Sequence, residues 1–248
     1  MAGSAFRNGA AWYDALSGGG RRLEREGGFL LGALSRAGGA RRVLDTACGT
    51  GVHALFFAGH GASVAARDLS PDMIAVARRR RPHPGIAYAT GDMRHPPEGP
   101  WDLILCLGNS LCLLPAREDA ALFFRNNAAV LAPEGRLAVQ VLNYALPGMR
   151  KPRTRMETAT LDGAAVRAEK RFFPEGDRTR LEITYTAERD GEAERHMETA
   201  WLNHWDRELL EGLAGNAGLR LEECLGGYNG AVFDAEKSGD LIMVWRRG

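Results

Sequence analysis

Apolar and polar residues change their spacing along this chain. Between positions 42 and 142, short apolar runs typical of buried strands alternate with longer segments that have helical spacing. The runs predict strands at 42–47, 62–68, 86–90, 102–107 and 136–142, and the segments predict helices at 52–59, 71–80 and 117–131. This alternating order is typical of a parallel sheet with helices on both faces.

Beyond Pro147 the pattern changes, because apolar and polar residues alternate between turn signals such as Pro174-Glu175-Gly176. This alternation predicts an antiparallel meander of three or four strands. Asp206 then begins a short helix, and further strands at about 219–225 and 241–246 return the chain to the first sheet.

The first part of the chain, residues 5–38, has helical spacing that "SGGG" at 17–20 interrupts. We therefore divide the chain into a helical lid at 1–40, a cofactor-binding core at 41–146 and 204–248, and an antiparallel β insertion at 147–203 over the active site. The core is predicted to be a doubly wound α/β sheet.

The composition fits a globular chain with a sizeable core and a small accessory part. The chain has 248 residues, 45% of them hydrophobic, and a formal net charge of +1. This charge makes a nucleic-acid partner unlikely, and no apolar run approaches the ~20 residues of a membrane span. Arginines at 78–81 predict a solvated helix end, and the basic segment 150–155 is a weak candidate for binding an anionic partner.

The four cysteines, Cys48, Cys106, Cys112 and Cys224, lack the spacing of metal ligands. We interpret them as reduced thiols, three of them in or beside buried strands. No signal-peptide pattern is found, so a soluble cytoplasmic protein without a bound metal is expected. The oligomeric state is left open.

Candidate binding chemistry begins in the turn after the first predicted strand, "DTACGTGVHA" at 45–54. This turn fits the pattern G-x-G-x-x-A, which binds dinucleotide phosphates in many proteins. Asp45, four residues before Gly49, would repel a pyrophosphate and instead suits a cofactor with a cationic group. Asp68, at the end of the second strand, can accept hydrogen bonds from ribose hydroxyls in either cofactor class.

Two further strand ends carry candidate ligand residues. Asp92 and Met93 follow the third strand, where the carboxylate can accept a hydrogen bond from an adenine amino group. The side chains of Met93 and Met73 either lie against the purine or belong to the core. After the fourth strand, Asn109 and Ser110 stand where open α/β sheets place their ligands, or one of them caps a helix.

Together these segments resemble the class I S-adenosylmethionine-dependent methyltransferases. The motifs that carry the likeness are Asp45-Thr-Ala-Cys-Gly-Thr-Gly51, Asp68, Gly91-Asp92-Met93 and "WDLILCLGNSL" at 101–111. The glycine and sarcosine/dimethylglycine N-methyltransferases are closer still, since they have a similar turn, a similar "CLGNS" and an "NY" pair like Asn143-Tyr144. The likeness covers roughly residues 12–145 and the final strands, and it implies a Rossmann-like doubly wound seven-stranded sheet.

The resemblance also implies where S-adenosylmethionine lies. Asp45 would be near the methionine ammonium group, Arg22 near the methionine carboxylate, and Asp68 near the ribose. The other implied cofactor contacts are Tyr13, Ala47, Gly49, Gly51, Met73, Asp92, Met93 and the backbone of Leu107 beside the sulfonium.

Methyl transfer from a sulfonium to a neutral amine needs orientation more than acid–base help, so a general base is optional. The candidate catalytic residues are Asn109, Tyr144 and His204, with Tyr228 behind them. We expect a small-molecule amine as acceptor. An RNA or protein side chain reached through 150–155, O-methylation of a small molecule, and a catalytically silent cofactor-binding module are the alternatives.

The last expectation concerns the acceptor's charge. The glycine-type enzymes have an arginine for the substrate carboxylate directly before the Asn-Tyr pair, where this chain has Leu142, and Leu113 replaces their histidine. Desolvating an unpaired carboxylate against leucine is costly. We therefore expect an acceptor larger or less charged than glycine, unless Arg150 or Arg153 supplies the clamp.

Overall fold

The computed structural model describes residues 9–39, 41–189 and 191–248, so positions 1–8 of the expected lid lie outside the described residues. Two helices, α1 (Ala10–Ser17) and α2 (Gly19–Arg36), meet at Gly18. The φ angle of Gly18 is 58°, a left-handed conformation that costs glycine little. The glycine run therefore separates two helices, as its position indicates.

The core follows the predicted alternation. Strands β1 (Arg42–Asp45), β2 (Ser63–Asp68), β3 (Ile86–Thr90), β4 (Trp101–Cys106) and β5 (Leu131–Leu142) alternate with helices α3 (Val52–Gly59), α4 (Pro71–Arg80) and α5 (Arg117–Ala129). β5 begins earlier than predicted because Leu131 already pairs with Trp101 of β4. The sequence hides this start, since Pro133-Glu134-Gly135 interrupts the apolar run.

The predicted meander has four strands: β6 (Arg153–Leu161), β7 (Ala164–Glu175), β8 (Arg178–Arg189) and β9 (Glu192–Asn203). They form an antiparallel sheet in chain order. Helix α6 (Arg207–Asn216) then begins at Asp206, whose carboxylate accepts a hydrogen bond from the Leu209 N–H at 2.8 Å. Strands β10 (Leu219–Leu225) and β11 (Asp240–Arg247) close the core.

The core sheet has seven strands in the order β10-β11-β5-β4-β1-β2-β3, which confirms the expected doubly wound fold. Strands β1 to β5 are parallel, whereas β11 is antiparallel to both of its neighbours. The order reverses direction between β1 and β4, and open α/β sheets bind ligands in the crevice that such a reversal leaves. The carboxyl ends of β1, β2 and β4 are therefore the place to look for a site.

Each face of the core sheet has its own apolar cluster. On β4, Ile104 belongs to the cluster that contains Phe123 of α5, whereas Leu103 belongs to the cluster that contains Leu30 of α2. The antiparallel sheet joins the first cluster, for example through Ile183 of β8. Its inner face is thereby fixed beside the carboxyl edge of the core sheet.

Helix α1 packs between the two sheets. Ala10 and Tyr13 lie against Met73 of α4, and the Trp12 ring centroid is 6.1 Å from that of Tyr185 on β8. The position of α1 fits the expected lid. Within the described ranges, no helix is both long and apolar enough to cross a membrane.

Candidate active site

The turn between β1 and α3 is held in a conformation that requires glycine. Gly49 and Gly51 have φ angles of 54° and 85°. A Cβ atom on Gly51 would lie 2.6 Å from the Tyr88 hydroxyl oxygen, so no larger residue fits. The Thr46 hydroxyl donates to the Leu105 carbonyl at 2.7 Å and ties the turn to β4. The turn thus lies open at the crevice.

Asp45 presents a buried carboxylate that lacks a full set of partners. Its side chain is 1% exposed, and no other described residue hydrogen-bonds its Oδ2 atom. Burial raises the pKa of Asp45 to about 7, against the opposing effects of Arg22 and the Ala47 N–H. Because an orphaned buried acceptor is costly, this atom suits a cationic ligand group such as an ammonium.

Asp68 is connected to the same turn. Its Oδ2 accepts from the Gly49 N–H at 2.8 Å and its Oδ1 from the Ser70 N–H at 2.9 Å. Burial raises the pKa of Asp68, while these two N–H groups oppose the shift. A carboxylate has about four acceptor positions, so two are left for ligand hydroxyls. Ser70 caps α4, as expected, by accepting from the Met73 N–H at 3.3 Å.

Two residues of the N-terminal helices reach this turn. The Tyr13 ring lies 3.9 Å from the position that a Cβ on Gly49 would occupy. One Arg22 amino nitrogen lies 3.1 Å from the corresponding position on Gly108, at the end of β4. Arg22 also acts electrostatically on Asp45. The structure therefore brings Tyr13, Arg22, Asp45 and Gly49 to one place.

Sequence reasoning missed a buried network behind Arg22. Glu26, which is 1% exposed, accepts from the guanidinium of Arg22 and pairs with the His53 imidazole at 2.6 Å. The available signals were the i, i+4 spacing of Arg22 and Glu26 and the presence of a histidine inside the Gly-rich motif.

The expected solvated helix end at 78–81 is wrong for its last two arginines. Arg80 and Arg81 donate to the carboxylate of Asp14 on α1, at 2.8 and 2.6 Å. Asp14 is only 6% exposed, and a buried carboxylate needs such partners. Arg81 also donates to the Thr50 carbonyl at 2.9 Å, so α1 is tied to the Gly-rich turn.

The residues proposed for adenine have other contacts in this structure. The Asp92 carboxylate accepts from the backbone N–H of Arg94 at 2.9 Å and from its guanidinium at 3.0 Å. Met93 lies with its sulfur 4.0 Å from the Cys106 sulfur, and Met73 is 3% exposed beneath α1. Their contact with a purine stays a prediction.

At the end of β4, Asn109 connects two chain segments. Its φ angle is 64°, and its carboxamide does not cap the following helical turn. Instead Oδ1 accepts from the Leu142 N–H at 2.9 Å, and Nδ2 donates to the Tyr144 hydroxyl at 2.8 Å. The Leu107 carbonyl accepts from the Ser110 hydroxyl at 2.8 Å. Asn109 thus orients Tyr144.

Tyr144 and His204 are brought together. Their rings stack with centroids 4.3 Å apart and planes 14° apart. The Nε2 atom of His204 lies 2.8 Å from the Thr179 hydroxyl. Burial lowers the pKa of His204, as do Arg150 and Arg153, and burial raises the pKa of Tyr144. Both groups are therefore uncharged at neutral pH.

Tyr228 lies apart from this pair. It follows β10, and its ring centroid is 5.6 Å from that of Phe29 on α2, in the other apolar cluster. Leu113 and Leu142, by contrast, pack against the cluster that contains Tyr144. The structure therefore groups the two leucines with Tyr144 and separates Tyr228 from the other candidate bases.

Known proteins similar to this chain are methyltransferases. The family model of the methyltransferase domain matches residues 43–135. A dTDP-3-amino-3,6-dideoxy-alpha-D-glucopyranose N,N-dimethyltransferase from Streptomyces fradiae is 30% identical over 228 residues, 89% of this chain and 87% of the relative. A glycine N-methyltransferase from Rattus norvegicus is 34% identical over 132 residues, 47% of this chain and 45% of the relative.

Solved structures share the fold. The structure of SAM-bound CalS10, an amino pentose methyltransferase from Micromonospora echinaspora, has a TM-score of 0.76 at 23% identity and covers 96% of this chain and 97% of that chain. The likeness to glycine N-methyltransferases is thus confirmed for about half of the chain. The likeness to the Streptomyces fradiae enzyme covers too much of the chain to omit the antiparallel sheet.

Proposed function

The chain belongs to the class I S-adenosylmethionine-dependent methyltransferases, and on that premise we propose that its acceptor is the amino group of a nucleotide-linked aminodeoxy sugar. The enzyme methylates a small molecule, as its relatives do. The observation that carries the finer proposal is the 30% identity with the Streptomyces fradiae enzyme across 89% of this chain.

The residues at the Gly-rich turn fit the cofactor. When bound, S-adenosylmethionine supplies a methyl group on a positively charged sulfur. Asp45, with its unpartnered Oδ2, would hold the ammonium group, and Asp68 would hold the ribose hydroxyls. Arg22, beside Gly108, would hold the carboxylate.

The residues on the acceptor side orient rather than exchange protons. The Tyr144 hydroxyl is engaged by Asn109, and Nε2 of His204 by Thr179. A neutral amine attacks with its own lone pair and releases its proton to water after the new bond forms. Holding the amine in line is therefore the main contribution of these side chains.

Charge near His204 suits the nucleotide part of the acceptor. Arg150 and Arg153 both act electrostatically on His204, and the Arg153 guanidinium lies 4.1 Å from the Phe172 ring centroid. Two arginines offer hydrogen-bond donors to a diphosphate. Leu142, by contrast, offers no charge to a carboxylate on the acceptor. A nucleotide-linked sugar has its anionic part away from the reacting amine, as this arrangement requires.

The direct test is an acceptor comparison with S-adenosylmethionine and the purified enzyme. The acceptors are dTDP-3-amino-3,6-dideoxyglucose, the free amino sugar, glycine and sarcosine, and mass spectrometry counts the added methyl groups. We expect one or two methyl groups on the nucleotide-linked sugar, with kcat/KM at least about tenfold above that of glycine. Equal turnover of glycine, or methylation of hydroxyl groups alone, would overturn the proposal.

A variant locates the nucleotide contact. Arg153→Leu should raise KM for the nucleotide-linked sugar by about tenfold while leaving KM for the free sugar nearly unchanged. Arg155→Ala is the matched control, since Arg155 is on the same strand and its side chain is 71% exposed. An equal effect of both variants would contradict the contact.

A further inference from the structure

The network of Arg22, Glu26 and His53 lies behind the cofactor turn. Glu26 of α2 accepts from Nε of Arg22 at 3.1 and 3.2 Å, and from Arg25 at 2.8 Å. Nε2 of His53, in the first turn of α3, lies 2.6 Å from the same carboxylate. His53 is two residues after Gly51, so the network connects α2 directly to the Gly-rich turn.

Packing alone does not account for this network. Glu26 is 1% exposed and His53 is 5% exposed, so both are removed from water. Burial raises the pKa of Glu26, but His53 and Arg22 together bring it down to about 2. An apolar pair of the same volume would join α2 and α3 at lower cost, because buried charges must be desolvated. The charges therefore do something that packing does not.

The geometry of Arg22 shows what they do. The guanidinium is planar and presents its donors in a fixed fork, so holding its Nε edge sets the direction of the amino groups. Glu26 takes the Nε edge, and one amino nitrogen lies 3.1 Å from the Cβ position of Gly108. The free donors of Arg22 are thereby directed to the end of β4, where the cofactor's amino-acid part is proposed to lie.

We propose that Glu26 and His53 are positioning residues that aim Arg22 at the carboxylate of the cofactor's amino-acid part. Glu26 fixes the orientation of the guanidinium, and His53 fixes Glu26 relative to the Gly-rich turn. The inference rests on the proposed contact between Arg22 and the cofactor, and it is independent of the acceptor.

Two nucleosides separate this role from a structural one. S-Adenosylhomocysteine has the amino-acid carboxylate, whereas 5′-methylthioadenosine has the same adenosine and thioether without it. For Glu26→Gln we expect calorimetry to show S-adenosylhomocysteine affinity reduced by ~10–100-fold, the range of a lost charged hydrogen bond, and 5′-methylthioadenosine affinity changed by less than about threefold. An equal loss for both nucleosides, or no loss for either, would overturn the proposal.

His53 provides the second test and covers the case in which Glu26→Gln does not fold. His53→Leu removes the donor to Glu26 and should weaken S-adenosylhomocysteine by ~3–30-fold, again without weakening 5′-methylthioadenosine. His53→Gln keeps an N–H donor and should recover most of the affinity. Failure of this selective loss and rescue would contradict the positioning role.

Arg25→Ala is the matched control. Arg25 also donates to Glu26, but its side chain is 68% exposed. We expect the control variant to keep the wild-type ratio of the two nucleoside affinities, and a changed ratio would show that the effect does not run through Arg22. Because no acceptor is present in these titrations, failure of the acceptor proposal would leave their outcome unchanged.

Discussion

The two halves of the active site use their polar atoms differently. The cofactor half consists of Tyr13, Arg22, Asp45 and Asp68, and in it the buried Oδ2 of Asp45 has no hydrogen-bond partner among the described residues. The acceptor half consists of Asn109, Tyr144 and His204. There Tyr144 is bonded to Asn109, and His204 to Thr179.

This difference indicates that the two ligands are bound by different physics. An unsatisfied buried carboxylate is costly until a cation arrives, so the cofactor half is prepared for a charged ligand. The acceptor half has already paired its polar atoms and offers fixed, uncharged surfaces. We therefore expect charge to dominate cofactor affinity and orientation to dominate the chemical step.

The largest effect should come from removing the cation-binding carboxylate. Asp45→Asn keeps the shape of the side chain but leaves the ammonium group unpaired in a buried site. We expect S-adenosylhomocysteine affinity to fall by about 2–5 kcal/mol, as for other truncated buried charge pairs. Calorimetry measures it, and a loss below about threefold would mean that the cofactor half does not depend on this charge.

The same carboxylate should make the ligand-free protein sensitive to pH. The pKa of Asp45 is raised from 3.8 to about 7 by burial, so between these values the folded state binds more protons than the unfolded state. Stability should therefore fall as pH rises, by about 3 kcal/mol between about pH 5 and pH 8. Urea unfolding of the ligand-free wild type and of Asp45→Asn isolates this contribution, because the variant should lack it. An identical pH dependence in both proteins would exclude Asp45 as its source.

Asp68 should have the next largest effect. Asp68→Ala removes the acceptors proposed for the ribose hydroxyls and should weaken S-adenosylhomocysteine by about 1.5–3 kcal/mol. It also removes the bonds to the N–H groups of Gly49 and Ser70, so the melting temperature should be measured beside the calorimetry. Unchanged affinity in a folded variant would remove Asp68 from the cofactor half.

Variants in the acceptor half should have the smallest effects on the rate. His204→Gln and Tyr144→Phe remove groups whose polar atoms are already engaged within the protein. We expect kcat to fall by less than about tenfold for each, whereas loss of a general base typically costs 10²–10⁴-fold. Steady-state kinetics at saturating cofactor makes this comparison, and a loss in the larger range would make the two halves alike in their use of charge.

The cofactor half could be predicted from sequence because its parts are local. Asp45, Gly49 and Gly51 belong to one turn, and strand periodicity places Asp68 at a strand end. The sheet was predictable for the same reason, since each buried strand is a continuous apolar run. Only β5 began earlier than its apolar run, where Pro133 and Gly135 interrupt the pattern.

The contacts that sequence reasoning missed join distant segments. Asp14 and Arg81 are 67 residues apart, and Glu26 and His53 are 27 apart, on helices that the pattern treats separately. No periodicity relates such pairs, because tertiary packing alone sets their distance. Tyr228 shows the converse: its position in the chain suggested the acceptor half, but the connection after β10 returns it to α2.

The most direct test of the orientation claim is the pH dependence of kcat/KM with two acceptors whose amine pKa values differ. The account predicts that the inflection follows the amine pKa from one acceptor to the other, because the neutral amine is the attacking species, and that His204→Gln has the same profile. An inflection at one fixed pH for both acceptors, lost in His204→Gln, would instead show a general base in the acceptor half and contradict the account.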